Sequence, residues 1–583
     1  MTPRAGSRRP GRWSWRRLAQ RRWRCAKRGN PRHRGIEAPA LAEKTTETGM
    51  AAFTQGEHAQ GEHARNVHYV GGIGDWLDYH ALHHPHREAL VVGDRRLDYG
   101  QLSDRCRRMA GVLAARGVRK GDRVALLLFN GNAFIETLFA CAKLGAIAVP
   151  INFRLSPAEV EFILDDCGAR VLVYHTTFSP LVAPIRRNTP LEHALYVTAA
   201  GDPMPADEDY EDVLAAAQAL TSVTPVAQDD PHLMMYTSGT TGRPKGAVLT
   251  HGNTTWNAFN LLLSESALVT DDVVLTVAPL FHIGGLNIHT LPALYKGAKV
   301  VMHPHFDPAE TLRLVERERV TTLFLVPAMW LAISQLPDID RYDLSSLRVL
   351  MSGGAPCPIT VIEFFQERGL RFLEGFGMTE TAPNACFLSS QDTLRKNGSV
   401  GKPLTHMQMR IVDADDQDVA PGETGELVLR GPNLFIGYWN RSEATEEAFR
   451  GGWFHSGDLA RQDEEGFFYI VDRIKDMLIS GGENVYPTEV EQVLYRHPAV
   501  REAAVIGVPD AQWGEVPLLV VAPKEGMHLA LDEVRRFCEG KLAHFKVPKQ
   551  VVEVPALPRT ATGKVLKREL RRSLIGTDKP PIS

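Results

Sequence analysis

The chain has 583 residues, of which 44% are apolar and 23% charged, with seven cysteines and a formal net charge of −3. This length exceeds what one hydrophobic core supports, so we expect two or three packed units with the composition of a soluble enzyme. No uninterrupted apolar run of about 18 residues occurs, so no transmembrane helix is predicted. The cysteines are dispersed without CxxC spacing, which predicts buried thiols in a reducing, cytoplasmic setting and no zinc site.

The first 36 residues are strongly basic. They hold thirteen of the 66 Lys and Arg residues, they lack Asp and Glu, and they include Trp13, Trp15 and Trp23. A nucleic-acid arm and an organellar transit peptide are both compatible with this composition. We favour a disordered extension over residues 1–70, with Met50 as an alternative start, because an arginine-rich tail is weak evidence for either role. We therefore predict no nucleic-acid partner.

From residue 71 the sequence alternates short apolar strands with amphipathic helices. The helix predicted over 99–116 repeats apolar side chains at helical spacing, and 124–128 and 171–174 are predicted to be buried strands. Strands that alternate with helices in this way indicate open, largely parallel α/β sheets.

The most informative stretch lies between two predicted strands, 231–235 and 247–250. Residues 236–246 read Tyr-Thr-Ser-Gly-Thr-Thr-Gly-Arg-Pro-Lys-Gly. Glycines let backbone amides converge on an anion, the hydroxyls add donors and Lys245 adds a positive charge, so the loop suits polyphosphate. It is not the P-loop of NTPases, because no Ser or Thr follows the lysine. The alternative is a flexible surface hairpin.

Two glycine turns follow predicted strands further along. One spans 352–356, and the other reads Glu-Gly-Phe-Gly-Met-Thr-Glu over 374–380. The ring of Phe376 between two glycines can stack on a purine, and Glu380 supplies a hard oxygen for Mg²⁺. Taken singly, either segment is also compatible with a purely structural turn.

The character of the sequence changes at about residue 405, where short alternating strands predict a small β subdomain. In this region Asp458 is predicted to lie exposed on a tight turn, where its carboxylate can accept hydrogen bonds from both hydroxyls of a ribose. A charged segment, 472–476, follows, and then the glycine-rich stretch 480–484. Near the end of the chain Lys564 lies on a glycine turn.

In this order, these motifs resemble those of the adenylate-forming superfamily, which includes acyl-CoA synthetases, peptide-synthetase adenylation domains and beetle luciferases. The resemblance covers about residues 70–573. It implies a large α/β N-terminal domain, with mostly parallel sheets and a small β subdomain, and a small α+β C-terminal cap domain. The implied boundaries are an extension over 1–70, an AMP-binding domain over 71–471, a hinge over 472–476, a mobile cap over 477–573 and a tail over 574–583.

The resemblance also implies the roles of individual residues. Catalysis falls to Lys564, Thr237 and Glu380, and the last two also hold the metal. The implied ATP- and AMP-binding residues are Thr237, Ser238, Gly239, Thr240, Thr241, Gly242, Lys245, Gly353, Gly354, Ala355, Pro356, Glu374, Gly375, Phe376, Gly377, Met378, Thr379, Asp458, Arg473 and Lys564. The implied acyl-pocket residues are His282, Gly284, Gly285, Val326, Met329, Gly353 and Ala382. The implied hinge and CoA-channel residues are Lys475, Ser480, Gly481, Gly482 and Glu483.

The segment around His282 bears on the substrate. Amino-acid-activating members of the superfamily carry an Asp near this point, whereas this chain has apolar residues and glycines. We expect Gly284 and Gly285 to leave room where an acyl chain or a ring can pass. This favours a carboxylic acid without an α-amino group.

The resemblance implies an ATP-dependent carboxylic acid–CoA ligase that uses ATP, Mg²⁺ and coenzyme A and acts through an acyl-adenylate. We predict medium- or long-chain fatty acids as substrates. The alternatives are an aryl or cinnamate-type CoA ligase, a fatty-acyl-AMP ligase that loads a carrier protein, a luciferase-like oxygenase and a non-catalytic nucleotide-binding protein. Peripheral membrane contact and a homodimer are left open as further associations.

Overall fold

Two twisted sheets, each with a parallel centre, form the larger part of the molecule and confirm the α/β class expected from the alternation of strands and helices. The computed structural model describes residues 71–198, 201–237, 244–481, 483–510, 512–559 and 565–576. None of the helices in these ranges has the length and apolar character needed to cross a bilayer.

The first sheet has eight strands. In spatial order they are Gly437–Tyr438, Lys245–Thr250, Pro231–Thr237, Ile147–Pro150, Arg123–Leu127, Val171–His175, His193–Val197 and Glu208–Asp209. The strands from Pro231–Thr237 onward pair in parallel, whereas Lys245–Thr250 returns antiparallel to Pro231–Thr237. Thr237 therefore ends its strand at the carboxyl edge, where open α/β sheets bind ligands.

The second sheet has nine strands. In spatial order they are Lys402–Pro403, Asn384–Leu388, Phe372–Gly377, Val349–Gly353, Thr322–Leu325, Val273–Thr276, Lys299–Met302, Glu88–Val92 and Arg95–Asp98. The strands from Phe372–Gly377 to Glu88–Val92 are parallel. Gly353 pairs with Gly375. The two glycine turns predicted from the sequence therefore follow neighbouring parallel strands and lie at the same edge of the sheet.

Helices cover these two sheets. Their bounds are Trp76–His83, Tyr99–Ala115, Asn132–Leu144, Pro157–Cys167, Ser179–Ile185, Tyr210–Ala216, His251–Leu262, Ile283–Gly285, Leu291–Lys296, Pro308–Glu318, Pro327–Ser334, Ile359–Gln366 and Ser442–Ala448, with a π-helical turn at Leu286–Thr290. Three of them start at capping boxes, with Asp98, Ser156 and Thr250 as the N-cap residues. In each box the cap side chain and the side chain three residues later satisfy each other's backbone amides, which fixes the helix start.

Two smaller sheets complete the fold. The predicted β subdomain is an antiparallel sheet of Gln408–Val412, Thr424–Arg430, Phe454–Gln462 and Phe468–Arg473. The last sheet comprises Glu483–Val485, Leu478–Ser480, Gly514–Pro523, Val500–Asp510 and Gln550–Glu553, with helices Pro487–Leu494, Leu531–Cys538 and Lys567–Ile575.

The final helix, Lys567–Ile575, was not predicted from the sequence. It contributes Leu570 to a core cluster, and Ile575 packs against the same cluster. The tail expected from residue 574 therefore begins inside this helix, and the structured part of the chain extends to Gly576, which ends the helix with a left-handed backbone.

Six cysteines lie in the described ranges, and all six are free and buried, as predicted. Burial raises the pKa of each thiol.

An ionic joint connects the segment expected to act as a hinge with the last sheet and its helices. Arg571 donates to Asp476 at 2.8 Å, and Lys567 lies 2.8 Å from Glu491. Asp472, on the strand Phe468–Arg473, accepts a hydrogen bond from the backbone N–H of Thr488 at 2.8 Å. The four side chains of the two ion pairs are at most 15% exposed, so the pairs are shielded from water. They fix the final helix against Asp476 and against the helix Pro487–Leu494.

We expect Arg571→Ala to destabilise the protein by about 3 kcal/mol, because Asp476 would remain buried without its partner. Arg572→Ala, at the next and exposed position, is the matched control and should leave stability within about 0.5 kcal/mol of wild type. Urea unfolding of both variants measures the difference, and equal stability would show that the Arg571–Asp476 pair does not hold the joint.

Candidate active site

Asp166 joins the two segments that flank the predicted phosphate loop. It lies near the end of helix Pro157–Cys167, and its side chain is 10% exposed. Its carboxylate accepts hydrogen bonds from the hydroxyl of Tyr236 and from Arg441, both at 2.7 Å, and its backbone carbonyl accepts one from Trp439 at 3.0 Å. One acidic residue thus fixes the strand before the loop and the segment 436–441 relative to each other.

Lys245, Tyr438 and Glu380 come together beside this junction. The Nζ of Lys245 lies 5.1 Å from the centroid of the Tyr438 ring, and the Tyr438 hydroxyl donates to Glu380 Oε1 at 2.9 Å. Thr237 pairs with Lys245 across the hairpin. The structure therefore gathers the predicted residues Thr237, Lys245 and Glu380. Tyr438 was missed, although an aromatic residue beside a glycine at 437 was a signal for it.

The surroundings of Glu380 suit a cation. Burial raises the pKa of this carboxyl group, and no basic side chain in the described ranges forms an ion pair with it. The carboxylate of Glu380 and the hydroxyl of Thr237, on the strand that pairs with Lys245, are hard oxygen donors of the type that Mg²⁺ prefers. The donor set therefore fits the expected metal.

Seven residues of the predicted site lie outside the described residues: Ser238, Gly239, Thr240, Thr241, Gly242, Gly482 and Lys564.

The two predicted nucleotide turns are linked by Glu374. Its Oε1 accepts a hydrogen bond from the backbone N–H of Cys357 at 3.1 Å, and burial raises its pKa to about 7. Beyond Gly353, the exposed residues Gly354, Ala355 and Pro356 form the turn. Glu374 thus connects the strand Phe372–Gly377 to the far end of that turn.

The second turn is shaped by close backbone contacts. A Cβ on Gly377 would lie 1.7 Å from the Pro383 carbonyl oxygen, so only glycine fits there. Phe376 is half-buried opposite Cys386, with Met378 and Thr379 next in the chain. Phe376 thus lies on the strand next to the one that ends at Gly353, one residue after the Gly375 that pairs with it.

The prediction of an exposed turn at Asp458 is wrong. Asp458 is buried within the strand Phe454–Gln462, because Gly457, with φ of +71°, turns the backbone without ending the strand. Its Oδ1 lies 3.1 Å from the Nε of Arg473 on the neighbouring strand. The two residues assigned to the ribose are therefore adjacent, as an ion pair.

Three of the predicted acyl-pocket residues, Gly284, Gly353 and Val326, lie against Phe324 or its cluster, and Phe324 itself was not predicted from the sequence. A Cβ on Gly284 would lie 3.3 Å from this ring and one on Gly353 would lie 3.5 Å from it. Val326 packs against the same small cluster. The Nε2 of His282 is buried with no partner in the described ranges, and burial lowers the pKa of the ring to about 4.

The structure gives three other acyl-pocket assignments further packing roles. A Cβ on Gly285 would lie 2.3 Å from the Pro279 carbonyl oxygen, so glycine at this position permits close backbone packing. Met329 packs against a different core cluster. Ala382 is fully buried, with its carbonyl accepting a hydrogen bond from Asn287 at 2.6 Å.

The hinge and CoA-channel residues lie along one surface segment. Lys475 is exposed, Ser480 is buried, and Glu483 is exposed opposite it. Gly481 has φ of +62°, and a Cβ there would lie 2.7 Å from the ring of Trp513. Glycine at this position lets the indole pack against the backbone.

Comparison with known proteins identifies the family. The AMP-binding enzyme family matches residues 77–439, and its C-terminal domain family, the AMP-binding enzyme C-terminal domain, matches residues 489–564. The chain belongs to the AMP-binding enzyme family.

Curated relatives define its class. The chain is 46% identical to a feruloyl-CoA synthase of Amycolatopsis sp, covering 86% of this chain and 99% of the relative. It is 41% identical to an indoleacetate–CoA ligase of Aromatoleum aromaticum, covering 86% and 98%. It is 37% identical to the long-chain-fatty-acid–CoA ligase FadD13 of Mycobacterium tuberculosis, covering 87% and 99%. The protein is an adenylate-forming acid–CoA ligase.

Solved structures agree with the fold. An anthranilate CoA ligase, AuaEII, in complex with anthranoyl-AMP superposes with a TM-score of 0.80 at 31% identity, covering 86% of this chain and 97% of that chain. The o-succinylbenzoate CoA synthetase of Bacillus subtilis, in complex with ATP and magnesium, has a TM-score of 0.74 at 34% identity, covering 85% and 99%.

We expect Glu374→Gln to remove a pH dependence of stability. The pKa of Glu374 is about 7 in the folded chain against 4.5 for an unperturbed glutamate, so ionisation favours unfolding, and wild type loses about 3 kcal/mol as pH rises from 4.5 to 7. The amide keeps the acceptor for Cys357 but cannot ionise. Urea unfolding at pH 5 and 8 should show a smaller loss in this variant than in wild type and in Glu363→Gln, a control on an exposed helix position.

We expect Tyr438→Phe to slow adenylation about tenfold, because Glu380 loses a charge-assisted hydrogen bond while the ring beside Lys245 remains. Thioester formation from supplied acyl-adenylate should be unchanged. Tyr469→Phe is the matched control, since it removes a hydroxyl bonded to Asp463 on the β subdomain. An equal loss in both half-reactions would indicate a general structural defect.

Proposed function

We propose that the acid substrate is an aryl or arylalkenyl carboxylic acid, the alternative that the sequence left open, and not the medium- or long-chain fatty acid first expected. The supporting relatives at 46% and 41% identity are named for feruloyl and indoleacetate, both ring acids, whereas the relative named for long-chain fatty acids is 37% identical.

The observation that carries this proposal is the aromatic wall formed by Phe324. This ring lies among Ala278, Ile288 and Met351, all buried, with Val326 and Phe387 packed against them. A compact apolar cluster centred on a ring suits a flat aromatic group, since stacked and edge-on ring pairs gain about 0.5–1.5 kcal/mol beyond their buried area. We assign His282, whose buried Nε2 has no partner in the described ranges, to the carboxylate end of the substrate.

The reaction joins two anions in its first step. A substrate carboxylate oxygen attacks the α-phosphorus of ATP, and pyrophosphate leaves. Lys245 and the backbone amides and hydroxyls at 237–242 would hold the phosphates. Glu380 and Thr237 would hold Mg²⁺, which neutralises phosphate charge when bound. Phe376 and the turn 353–356 would receive the adenine, and Asp458 with Arg473 the ribose.

In the second step the thiolate of CoA attacks the acyl carbon, and AMP leaves with the bonding electrons. A free thiol with a pKa near 8.5 is already partly ionised at neutral pH, so no dedicated base is required. We assign Lys564 to the first step only, with rotation of residues 477–573 about Lys475 presenting 480–484 to CoA for the second. Buried free thiols also favour a reducing, cytoplasmic location.

The test is ATP-dependent AMP release with CoA across cinnamate, its hydroxylated forms, benzoate, indoleacetate, octanoate and palmitate. We expect the highest kcat/KM among the ring acids. Phe324→Leu should lower kcat/KM for the preferred ring acid about tenfold and change octanoate little, because only the ring loses its stacking partner.

Phe365→Leu is the matched control. Phe365 is also buried but stacks on Phe372 in another core cluster, so its loss should leave the ranking of acids intact. A highest kcat/KM for palmitate would overturn the aryl assignment and support fatty acids as the substrates. Adenylation without use of CoA would overturn the assignment of CoA as the acyl acceptor.

A further inference from the structure

A small, mostly apolar recess is lined in part by Phe324. Its cavity has a volume of about 10 Å³, and three polar residues, Thr276, His289 and Thr290, share its lining with Leu275, Ala278, Gly284, Gly285 and Phe324. This is the space of one water-sized group. Because Gly284 and Phe324 also belong to the acyl-pocket cluster, the recess adjoins the place proposed for the substrate ring.

The donor and acceptor roles of the two threonine hydroxyls in the recess can be assigned. Thr290 donates to the carbonyl of Gly285 at 2.8 Å, which uses its single proton. The 2.8 Å contact between Thr276 Oγ1 and Thr290 Oγ1 must then have Thr276 as the donor. Thr276 therefore offers its remaining lone pairs to the recess, and it can only accept.

His289 adds an unsatisfied group. Its Nε2 pairs with Ser266 Oγ at 2.9 Å, while its Nδ1 is buried with no partner in the described ranges. Burial lowers the pKa of this ring to about 3, so it is neutral and carries one N–H. Whichever nitrogen holds that proton, a hydroxyl can bond to Nδ1, because a hydroxyl both donates and accepts.

We propose that this recess receives the ring hydroxyl of a hydroxylated aryl acid, with Thr276 Oγ1 as the acceptor of the hydroxyl proton. This inference rests on the proposed function and narrows it from aryl acids in general to those that carry a hydrogen-bond donor on the ring. A methyl or hydrogen at the same ring position leaves Thr276 and His289 unpaired, which a buried site penalises.

The experiment compares kcat/KM for cinnamate with that for 3- and 4-hydroxycinnamate, which differ from it only in the ring hydroxyl. Wild type should prefer one hydroxylated acid by about tenfold or more. Thr276→Val keeps the shape of the side chain but removes the acceptor, so the preference should fall about tenfold with cinnamate turnover retained. Thr276→Ser keeps the hydroxyl and should keep the preference.

Thr311→Val is the matched control for losing a buried threonine hydroxyl, since Thr311 Oγ1 bonds to the Asp307 carbonyl on a distant helix; it should not change the preference. No discrimination by wild type, which needs no variant to fold, or an equal fall for both acids in Thr276→Val, would overturn the inference and assign the recess to a structural water. Either result leaves the aryl proposal standing. Failure to adenylate any ring acid would overturn both.

Discussion

The hydrogen bonds of Asp166 are the constraint on which the proposed phosphate site depends. A loop of amides and hydroxyls binds an anion only if its two ends are fixed, because ordering a flexible loop at the moment of binding costs conformational entropy. Tyr236 and Arg441 both donate hydrogen bonds to this carboxylate. Tyr438, in the same segment as Arg441, donates a hydrogen bond to Glu380 and so ties that carboxyl group to the junction. Residues from four distant parts of the sequence are thereby fixed as one unit.

The parallel centres of the two large sheets explain why so many separate segments meet. Each sheet presents the carboxyl ends of its strands to a common edge, so loops that are far apart in sequence lie side by side. Thr237 ends a strand of the first sheet, while Gly353 and Gly377 end strands of the second. A third element, the antiparallel sheet with Asp458 and Arg473, then leads directly into the ionic joint at 472–476.

Much of this could be predicted from the sequence, because strand and helix periodicity and the glycine motifs are local signals. Asp458 was misplaced because a glycine can bend a strand as well as end it, and the sequence does not distinguish the two. The sequence does not tell which role Gly285 serves, because a small side chain is required equally by a pocket and by close backbone packing. Phe324 and Tyr438 were missed because their importance arises from partners more than 25 residues away in sequence, which no local pattern reveals.

The buried cysteines have a consequence for an enzyme that makes an activated acyl group. An acyl-adenylate acylates any accessible thiolate, since the thiolate is the nucleophilic form of cysteine. The six cysteines in the described ranges are enclosed by the fold, and burial holds their thiols in the protonated form. These side chains therefore do not compete with CoA for the acyl group, and self-acylation at them is suppressed by the same packing that stabilises the core.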